Sequence, residues 1–537
     1  MTVTAVDVAR AVVAVSIVVS TPLLLRALGR GRAVRVALVA GIPAGASMAL
    51  EPGALAVAAV VPYAFVCTWC AATAAGQVVA RGLRPVSELV ASLALVYLAG
   101  AVVWLVAHRA GHALLGYPPL WVLLTTAHFH VAGAYLTGIA ALRARDRSRL
   151  AAGIALIVAI GIPLTALGID GPRWLETSAA LATTLGGIGV AVLSIRSREP
   201  LQVIAGGSLL AAMVLAGMYA LRGHVAVFTI AGLDPLTSMA VTHGILDGVG
   251  FALVALAALA LAPPPPPPPF APPFSRLRAG LRIGADFFAA RGLERTPSPS
   301  PRGLVDALDE LAHPSLAPAR IAPAIRAFYE RTHDHSLVVR PHWRAGFRGG
   351  ARLWARIARR LGQLQLPVTA ERGDEGITSR IVAIDPAADG RPSPRAWIRT
   401  FADGRAMYVA AYATHVTAGT AYMNIAFPLP GGHLASILRL DHLPTGGDTG
   451  AVILSTRIGG DAGIWLCLRL FGRVVPVRLP LAETIAVWTR DDPAAPDELR
   501  ALAPAAATTI ARHDLWLCGL HYLTLDYAMT PLPASPA

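Results

Sequence analysis

Apolar segments of membrane-spanning length fill the first 262 residues of this 537-residue chain. A segment of about 20 apolar residues crosses a bilayer as a helix, because hydrocarbon offers the backbone polar groups no partner outside the helix. Nine such segments lie at 5–25, 34–50, 54–80, 86–107, 118–142, 149–168, 174–195, 201–221 and 236–262. The sequence therefore predicts an α-helical polytopic membrane domain of about nine spans over residues 1–262.

Arginines are concentrated in every second connection between these segments. The richer connections hold residues 26–35, 81–84, 143–149 and 196–198, and the last span leads to Arg276, Arg278 and Arg282. Cytoplasmic loops carry an excess of basic residues. The pattern predicts an outside N-terminus and a cytoplasmic C-terminus, which requires an odd number of spans.

Charge excludes several functions. Residues 1–262 hold 16 Arg and 9 acidic residues, and residues 263–537 hold 30 Arg and 23 acidic residues, so each half has a surplus of seven positive charges. This even distribution does not suggest a nucleic-acid partner. The chain has no Lys, which excludes a Walker A loop, a kinase ATP lysine and a Schiff base to pyridoxal phosphate.

A proline run at 263–269 marks the end of the membrane domain. Residues 263–300 are predicted to form a proline-rich linker and an amphipathic segment, in which Phe274, Leu277, Leu281 and Phe288 share one helical face. This helix would lie on an anionic membrane surface or pack on its own domain. Anionic lipid headgroups are thus candidate partners beside the bilayer itself.

Residues 301–537 are predicted to form a cytoplasmic α+β domain with a large antiparallel sheet or partial barrel. Residues 301–365 are interpreted as helical, with an arginine stripe over 348–360 that faces lipid headgroups or solvent. From about 378 onward, short runs rich in Val, Ile, Tyr and Thr alternate with turn residues, and Asp403-Gly404 predicts a hairpin.

Six of the fifteen His lie in the membrane half, and the predicted topology places them at the midplane or toward the outside. Ionisable groups in spanning helices suggest function. His243 and Asp247 are one helical turn apart, as are His108 and His112, which suit one metal ion. His128 and His130 point about 200° apart on a helix and so face different sites. We expect His128, His130, His243 and Asp247 to bind a cofactor, or alternatively to serve as structural or proton-relay groups.

The segment His128-Phe129-His130 resembles the His-Phe-His of the haem-copper oxidases, in which the two His serve haems on opposite sides of one helix. The resemblance implies haem or a transition metal as cofactor. The chain lacks the His-Pro-Glu-Val-Tyr copper motif of those oxidases.

A second resemblance covers nearly the whole chain. Ala127-His128-Phe129-His130 with Gly133, His243-Gly244, Gly250-Phe251 and the stretches 328–332, 427–432 and 523–527 resemble the YndJ-like family of bacterial membrane proteins. The resemblance implies a multi-pass protein of the bacterial plasma membrane and no particular activity. Asp247 stands where Asn is expected in this family.

Polar and aromatic residues in the predicted strands are candidates for lining a ligand cavity in the soluble half. They are Trp343, Tyr408, Tyr412, His415, Asn424, Arg439, His513 and Asp526. Three functions remain open. They are a sensor or binding protein with a His-lined membrane site coupled to a cytoplasmic ligand-binding domain, a secondary transporter or lipid-handling protein, and a haem-dependent membrane oxidoreductase or soluble-domain enzyme.

Overall fold

The computed structural model describes residues 4–146, 148–169, 171–265, 270–297, 299–369, 376–444, 449–470 and 472–533. The chain divides into two compact units, Met1–Pro269 and Phe270–Ala537. The boundary lies at the end of the proline run, a few residues beyond the predicted end of the membrane domain.

The first unit is a helical bundle. Its long helices within the described residues are α1 Ala5–Ala27, α2 Gly31–Ala46, α3 Ala54–Arg81, α4 Val86–Ala110, α5 Pro119–Arg143, α6 Arg149–Ile169, α7 Arg173–Arg196, α8 Pro200–Ala220 and α9 Pro235–Leu261. All except α2 are long and apolar enough to cross a membrane. The predicted helical membrane domain is confirmed, with eight helices of spanning length among the residues described.

Helix α2 is the exception, because it has only 16 residues before a 3₁₀ turn, Ser47–Ala49. It buries small residues such as Ala37 and Gly41, and a Cβ built on Gly41 would lie 3.0 Å from the carbonyl oxygen of Ile17. Its opposite face exposes Val39 and Ile42 by 74% and 63%. Close packing through small residues and an apolar outer face are typical of helices in lipid.

Three helices of the bundle contain π-helical stretches. Such stretches are rare in proteins as a whole, and many of those that occur lie at functional sites. The stretches are Ser16–Ser20 in α1, Phe129–Leu136 in α5, and Ala240–Gly244 and Leu246–Leu253 in α9. Those of α1, α5 and α9 pack against one another. Three of the predicted site residues, His130, His243 and Asp247, lie inside them.

The second unit is built on an antiparallel sheet. Its strands are β1 Glu294–Arg295, β2 His335–Trp343, β3 Ile377–Ile384, β4 Arg395–Phe401, β5 Ala406–Thr417, β6 Thr420–Leu429, β7 Gly432–His442, β8 Val452–Ser455, β9 Gly463–Leu470, β10 Arg473–Arg478, β11 Leu481–Thr489, β12 Thr509–Leu517 and β13 Leu520–Pro531. Its helices are α10 Pro323–Glu330, α11 Arg348–Leu361, α12 Pro386–Asp389 and α13 Asp497–Leu502.

The sheet closes into a barrel. Strands β8, β11, β12, β13, β2, β3, β4, β5, β6 and β7 are neighbours in this order, and β7 pairs back to β8 through Arg439–His442. The first half of the same β7 edge carries the β9–β10 hairpin. The predicted antiparallel sheet and the Asp403-Gly404 hairpin are confirmed.

Two predictions of helix are wrong. His335–Trp343 is a strand, because alternate residues such as Leu337 and Val339 are buried in the barrel core. The stretch 274–288 is not a helix but an irregular strap. Its Leu277 and Phe288 pack on the outer face of the sheet, whereas Leu281 is 81% exposed.

A buried ion pair fixes this strap to the barrel. The guanidinium of Arg391 donates to both carboxylate oxygens of Asp389 at 2.6 and 3.0 Å, and both side chains are fully buried. Asp389 also accepts from Ser275 at 2.8 Å, and Asn424 donates to the carbonyl of Pro273. The barrel is therefore covered on this side by its own chain.

Candidate functional site

A cavity of about 620 Å³ lies inside the second unit. Its walls come from nearly every strand of the ring and are mainly Leu, Ile, Met, Val and aromatic side chains. Ligand sites in proteins typically occupy 300–1,000 Å³ and combine an apolar lining with a few placed polar groups. The cavity therefore has the size and chemistry of a site for a largely apolar small molecule.

Arg399 is the one arginine on the cavity wall among the residues described. It is 6% exposed, and its guanidinium carbon lies 3.6 Å from the ring centroid of Trp397 and 4.8 Å from that of Tyr408. Its Nε has no hydrogen-bond partner, and no carboxylate of the described residues lies within 4.0 Å of it. Aromatic faces stabilise a cation only in part. The side chain is thus a buried positive charge without an anion.

The backbone positions this charge at a β-bulge. The pairing register between β4 and β5 shifts by an irregularity between Arg399 and Thr400. Arg399 itself lies opposite Tyr408. Bulges re-aim side chains and are common next to binding sites. Burial raises the pKa of nearby Tyr527 to about 12, although Arg399 acts in the opposite direction. At neutral pH the Tyr527 hydroxyl is therefore available as a hydrogen-bond donor beside the guanidinium.

A second polar group on the wall is internally paired. His513 Nε2 lies 2.7 Å from Glu483 Oε2, and Ser436 donates to the other carboxylate oxygen. Burial alone would raise the pKa of Glu483, but these hydrogen bonds outweigh it and hold the pKa below its ordinary value. The carboxylate is therefore ionised and already satisfied, unlike Arg399.

Helix α11 contributes to the wall and to the outer surface. Phe347, Ala351 and Trp354 line the cavity. The opposite face exposes Leu353 and Ile357 by 58% and 43%. Exposed arginines flank these two residues, at positions 352, 356, 359 and 360. A single short element thus separates the apolar cavity from a basic surface that also carries exposed apolar side chains.

The structure brings only some of the predicted soluble-half residues to the cavity. Trp343, Tyr408, Tyr412 and His513 line it. The other four lie elsewhere, with partners of their own. His415 pairs with Asp461, Asn424 accepts from Arg391, Arg439 donates to Asp441, and Asp526 accepts two bonds from Arg512. Asp526 does not face the cavity, because its strand neighbours Leu525 and Tyr527 do.

Sequence reasoning missed Arg399, Glu483, Ser436 and Tyr527. A signal for Arg399 exists in the strand Trp397-Ile398-Arg399-Thr400-Phe401, where side chains alternate between the two faces of the sheet. An arginine on the same face as a buried Trp indicates a charge pointing into the core. Glu483 and Ser436 gave no such signal, because tertiary pairing alone brings them to His513.

In the membrane unit, His128, His243 and Asp247 form a second polar cluster. His128 is close enough to both other residues to interact with them electrostatically. The Nδ1 atom of His128 lies 2.8 Å from the carbonyl oxygen of Leu124. The Nδ1 atom of His243 lies 3.0 Å from the carbonyl oxygen of Ala212. Asp247 is 5% exposed, and its Oδ1 has no hydrogen-bond partner.

His130 lies in a separate environment from His128. Its Nδ1 is 2.8 Å from the carbonyl oxygen of Thr126, its Nε2 is 3.2 Å from the Tyr63 hydroxyl, and its ring stacks on Tyr63. The Tyr63 hydroxyl continues to Thr21 and Tyr135. With both ring nitrogens hydrogen-bonded inside the protein, His130 does not fit a haem ligand in this conformation.

The proposed His108–His112 pair loses its helical spacing. Helix α4 ends at Ala110 and Gly111 adopts a left-handed conformation, with φ of 72°, so His112 lies outside the helix and is exposed. His108 is 6% exposed. No group of three or more His, Cys, Asp or Glu that could hold a metal ion occurs in the described part of the chain.

Together the two units define a multi-pass membrane protein with an antiparallel barrel domain. The family model for YndJ-like proteins matches residues 11–251. The chain is 27% identical over 460 residues to the "Uncharacterized membrane protein YndJ" of Bacillus subtilis (strain 168), covering 83% of this chain and 79% of that protein. The chain is therefore similar to YndJ-like membrane proteins over residues 11–251, in line with the resemblance of the sequence motifs. No solved structure matches it.

Proposed function

We propose that this protein handles lipids, and that its barrel binds an amphiphile with a long apolar part and an anionic head. The observation that carries the proposal is the cavity of about 620 Å³, apolar except for a few groups, with the unpaired charge of Arg399 on its wall. The apolar walls gain free energy by burying a hydrocarbon chain, at roughly 25 cal/mol per Å².

The head group follows from the polar atoms. A guanidinium presents forked donors that match carboxylate and phosphate oxygens, and the Tyr527 hydroxyl lies beside it. Glu483 also lies on the wall, but its two carboxylate oxygens already face His513 and Ser436. An anionic head on Arg399 removes the cost of the buried, unpaired cation.

Membrane topology and location are part of the same proposal. We infer that α2 is a ninth span, which places the N-terminus outside and the barrel in the cytoplasm, next to the plasma membrane. The arginine-rich face of α11 then contacts anionic lipid headgroups, because each basic residue near such a surface contributes about 1 kcal/mol. In this proposal the ligand moves between the bilayer and the cavity by passing α11, because α11 forms part of the cavity wall.

The test uses the full-length protein in amphipol, with a fluorescent long-chain fatty acid and the matching fluorescent fatty alcohol as probes. We expect tighter binding of the acid. Arg399→Gln removes a charged hydrogen-bond partner and should weaken acid binding roughly tenfold while leaving the alcohol unchanged.

Two bulky substitutions control for the location of binding. Ala511→Phe fills the cavity and should abolish binding of both probes, since Ala511 lines it. Val416→Phe adds the same bulk at a position that is 66% exposed and should bind both probes as the wild type does. Undiminished binding to a folded Ala511→Phe variant would exclude the barrel as the site.

A second candidate function, proton-coupled transport, is favoured by Asp247. A buried carboxylate with a free oxygen, next to two His and within a π-helical stretch, is the kind of group that binds and releases a proton. Asp247→Asn keeps the size, removes the charge and introduces the residue that the YndJ-like resemblance leads us to expect. Loss of solute uptake in proteoliposomes on this change would support transport, whereas unchanged uptake would exclude Asp247 as the coupling group.

A further inference from the structure

Three basic residues meet at one end of the helical bundle. His108 and Arg109 belong to the last turn of α4, and Arg10 of α1 is close enough to perturb both of them electrostatically. Arg109 is 0% exposed and His108 is 6% exposed. The side chains of Arg109 and His108 are thus buried, and Arg10 beside them is half-buried.

Several of their guanidinium donors have no acceptor. Nε and Nη1 of Arg109 and Nε of Arg10 lack a hydrogen-bond partner, and the ring of His108 faces the backbone of Pro119 without a regular hydrogen bond. One donor of Arg109 is satisfied, because Nη2 donates to the carbonyl oxygen of Leu50. A buried donor without a partner costs about 1–3 kcal/mol, and more when it is charged. So many unsatisfied donors in one place need a common explanation.

Neighbouring acidic residues do not supply it. The nearest are Asp7 and Glu51, both exposed, and Asp7 accepts hydrogen bonds from Thr4 at the start of α1. Within the described residues, no carboxylate lies within 4.0 Å of a nitrogen of Arg10 or Arg109. The end of α4 attracts cations through its dipole, but that attraction leaves these donors unsatisfied.

We propose that Arg10, His108 and Arg109 form a binding site for a phosphate-class oxyanion in the membrane unit. Phosphate oxygens accept several hydrogen bonds at once, and guanidinium forks match their geometry. The carbonyl of Leu50 orients Arg109 before the anion arrives. The same chemistry is presented by free phosphate and by a phospholipid headgroup at the membrane surface.

The experiment is done on full-length, delipidated protein in chloride buffer, in an Ala511→Phe background, in which the filled barrel cavity does not contribute. The probes are inorganic phosphate and, separately, phosphatidylglycerol with a diacylglycerol of the same chains as the neutral control. The measurement is the midpoint of thermal unfolding at constant ionic strength, because a ligand that binds only the folded state raises it.

We expect the midpoint to rise with phosphate, with phosphatidylglycerol or with both, and not with diacylglycerol. A response to phosphate identifies a free anion as sufficient, and a response to phosphatidylglycerol alone identifies a lipid headgroup. Arg109→Gln and Arg10→Gln should each raise the half-saturating concentration roughly tenfold, and Arg109→Lys should recover part of the response. Arg222→Gln, in which an exposed arginine paired with Glu176 is changed, is the matched control and should respond as the background does.

Arg109→Met gives a readout that a structural role would not produce. Without an anion, an unpaired buried charge destabilises the protein, so the Met variant should unfold at a higher temperature than its parent in chloride and show no response to phosphate. If neither probe raises the midpoint of the parent, or if both Arg10→Gln and Arg109→Gln respond as the parent does, the site does not exist.

Discussion

Individual arginines in this protein show how much depends on the partner of a buried charge. Arg391 is fully buried and bonded to Asp389, Asn424 and a backbone carbonyl, which makes it a structural link. Arg399 and Arg109 are also buried, but have donors without acceptors. Removing one partner of a buried pair costs about 3–5 kcal/mol, whereas the two buried arginines without an anion are the positions at which we propose that one binds. A buried arginine in this chain is therefore either a structural link, when it is paired, or a candidate anion-binding group, when it is not.

At the residue scale, His433 predicts how stability depends on pH. Burial, together with the neighbouring charge of Arg391, lowers the pKa of His433 to about 4 from the ordinary 6.5. Between these values the unfolded chain binds more protons than the folded one, so stability falls as pH decreases from 6.5 toward 4. The contribution of this one group is about 3 kcal/mol.

Thermal unfolding of the full-length protein followed by Trp fluorescence measures this effect. His433→Gln should flatten the decrease between pH 6.5 and 4, because Gln does not titrate. His342→Gln is the control, since His342 is exposed, and should leave the decrease intact. An unchanged pH dependence in His433→Gln would show that another group causes it.

At the scale of elements, α11 has two faces with different roles. Its inner face lines the cavity, and its outer face carries arginines together with exposed Leu353 and Ile357. Exposed apolar side chains surrounded by basic residues are typical of a helix that lies on an anionic membrane surface. The strap 274–288, for which the sequence left open a membrane surface or its own domain, packs on the barrel.

The prediction for α11 concerns hydrogen exchange in nanodiscs. We expect slower exchange of α11 amides in nanodiscs that contain phosphatidylglycerol than in nanodiscs of phosphatidylcholine alone. Arg352→Gln/Arg356→Gln should remove the difference, because fewer charges face the lipid, and Arg473→Gln, on an exposed strand position, should retain it. Equal exchange of wild-type α11 in both nanodiscs would show that the helix does not contact lipid.

At the scale of the whole molecule, the number of spans decides on which side of the membrane the barrel lies. Among the residues that the structure describes, eight helices have spanning length, and α2 would be the ninth. An odd number puts the two ends of the chain on opposite sides. The exposed thiol of Cys518, in the turn between β12 and β13, provides a natural probe, since Cys67, Cys70 and Cys467 are buried.

Labelling of intact cells with a membrane-impermeant maleimide tests the nine-span topology. We expect Cys518 to react only after permeabilisation, and a cysteine introduced by Thr4→Cys in a Cys518→Ser background to react in intact cells. Labelling of both positions from the same side would establish an even number of spans and remove the proposed role of α2.

Sequence patterns predicted more of the fold than of the site. The spans follow from hydropathy, and β4 to β11 follow from the alternation of Val, Ile, Tyr and Thr with turn residues. The failures have one cause: the strand His335–Trp343 and the strap 274–288 have patterns that also suit a helix, and only their place on the barrel selects the observed structure. Of the predicted soluble-half residues, Asn424 and Asp526 took structural partners, because polar side chains on strands pair with whichever neighbour the register supplies.

The sequence by itself determined that this chain lies in a membrane, since a bilayer imposes length and composition on each span independently of the rest of the protein. It also determined the antiparallel sheet and the similarity to YndJ-like proteins, which local patterns encode. Only the tertiary structure decided that the sheet closes around a cavity, that Arg399 faces it without an anion, and that Arg10, His108 and Arg109 converge. Those properties depend on which residues, distant in sequence, come together in a space from which water is excluded. No local sequence pattern encodes which distant residues meet.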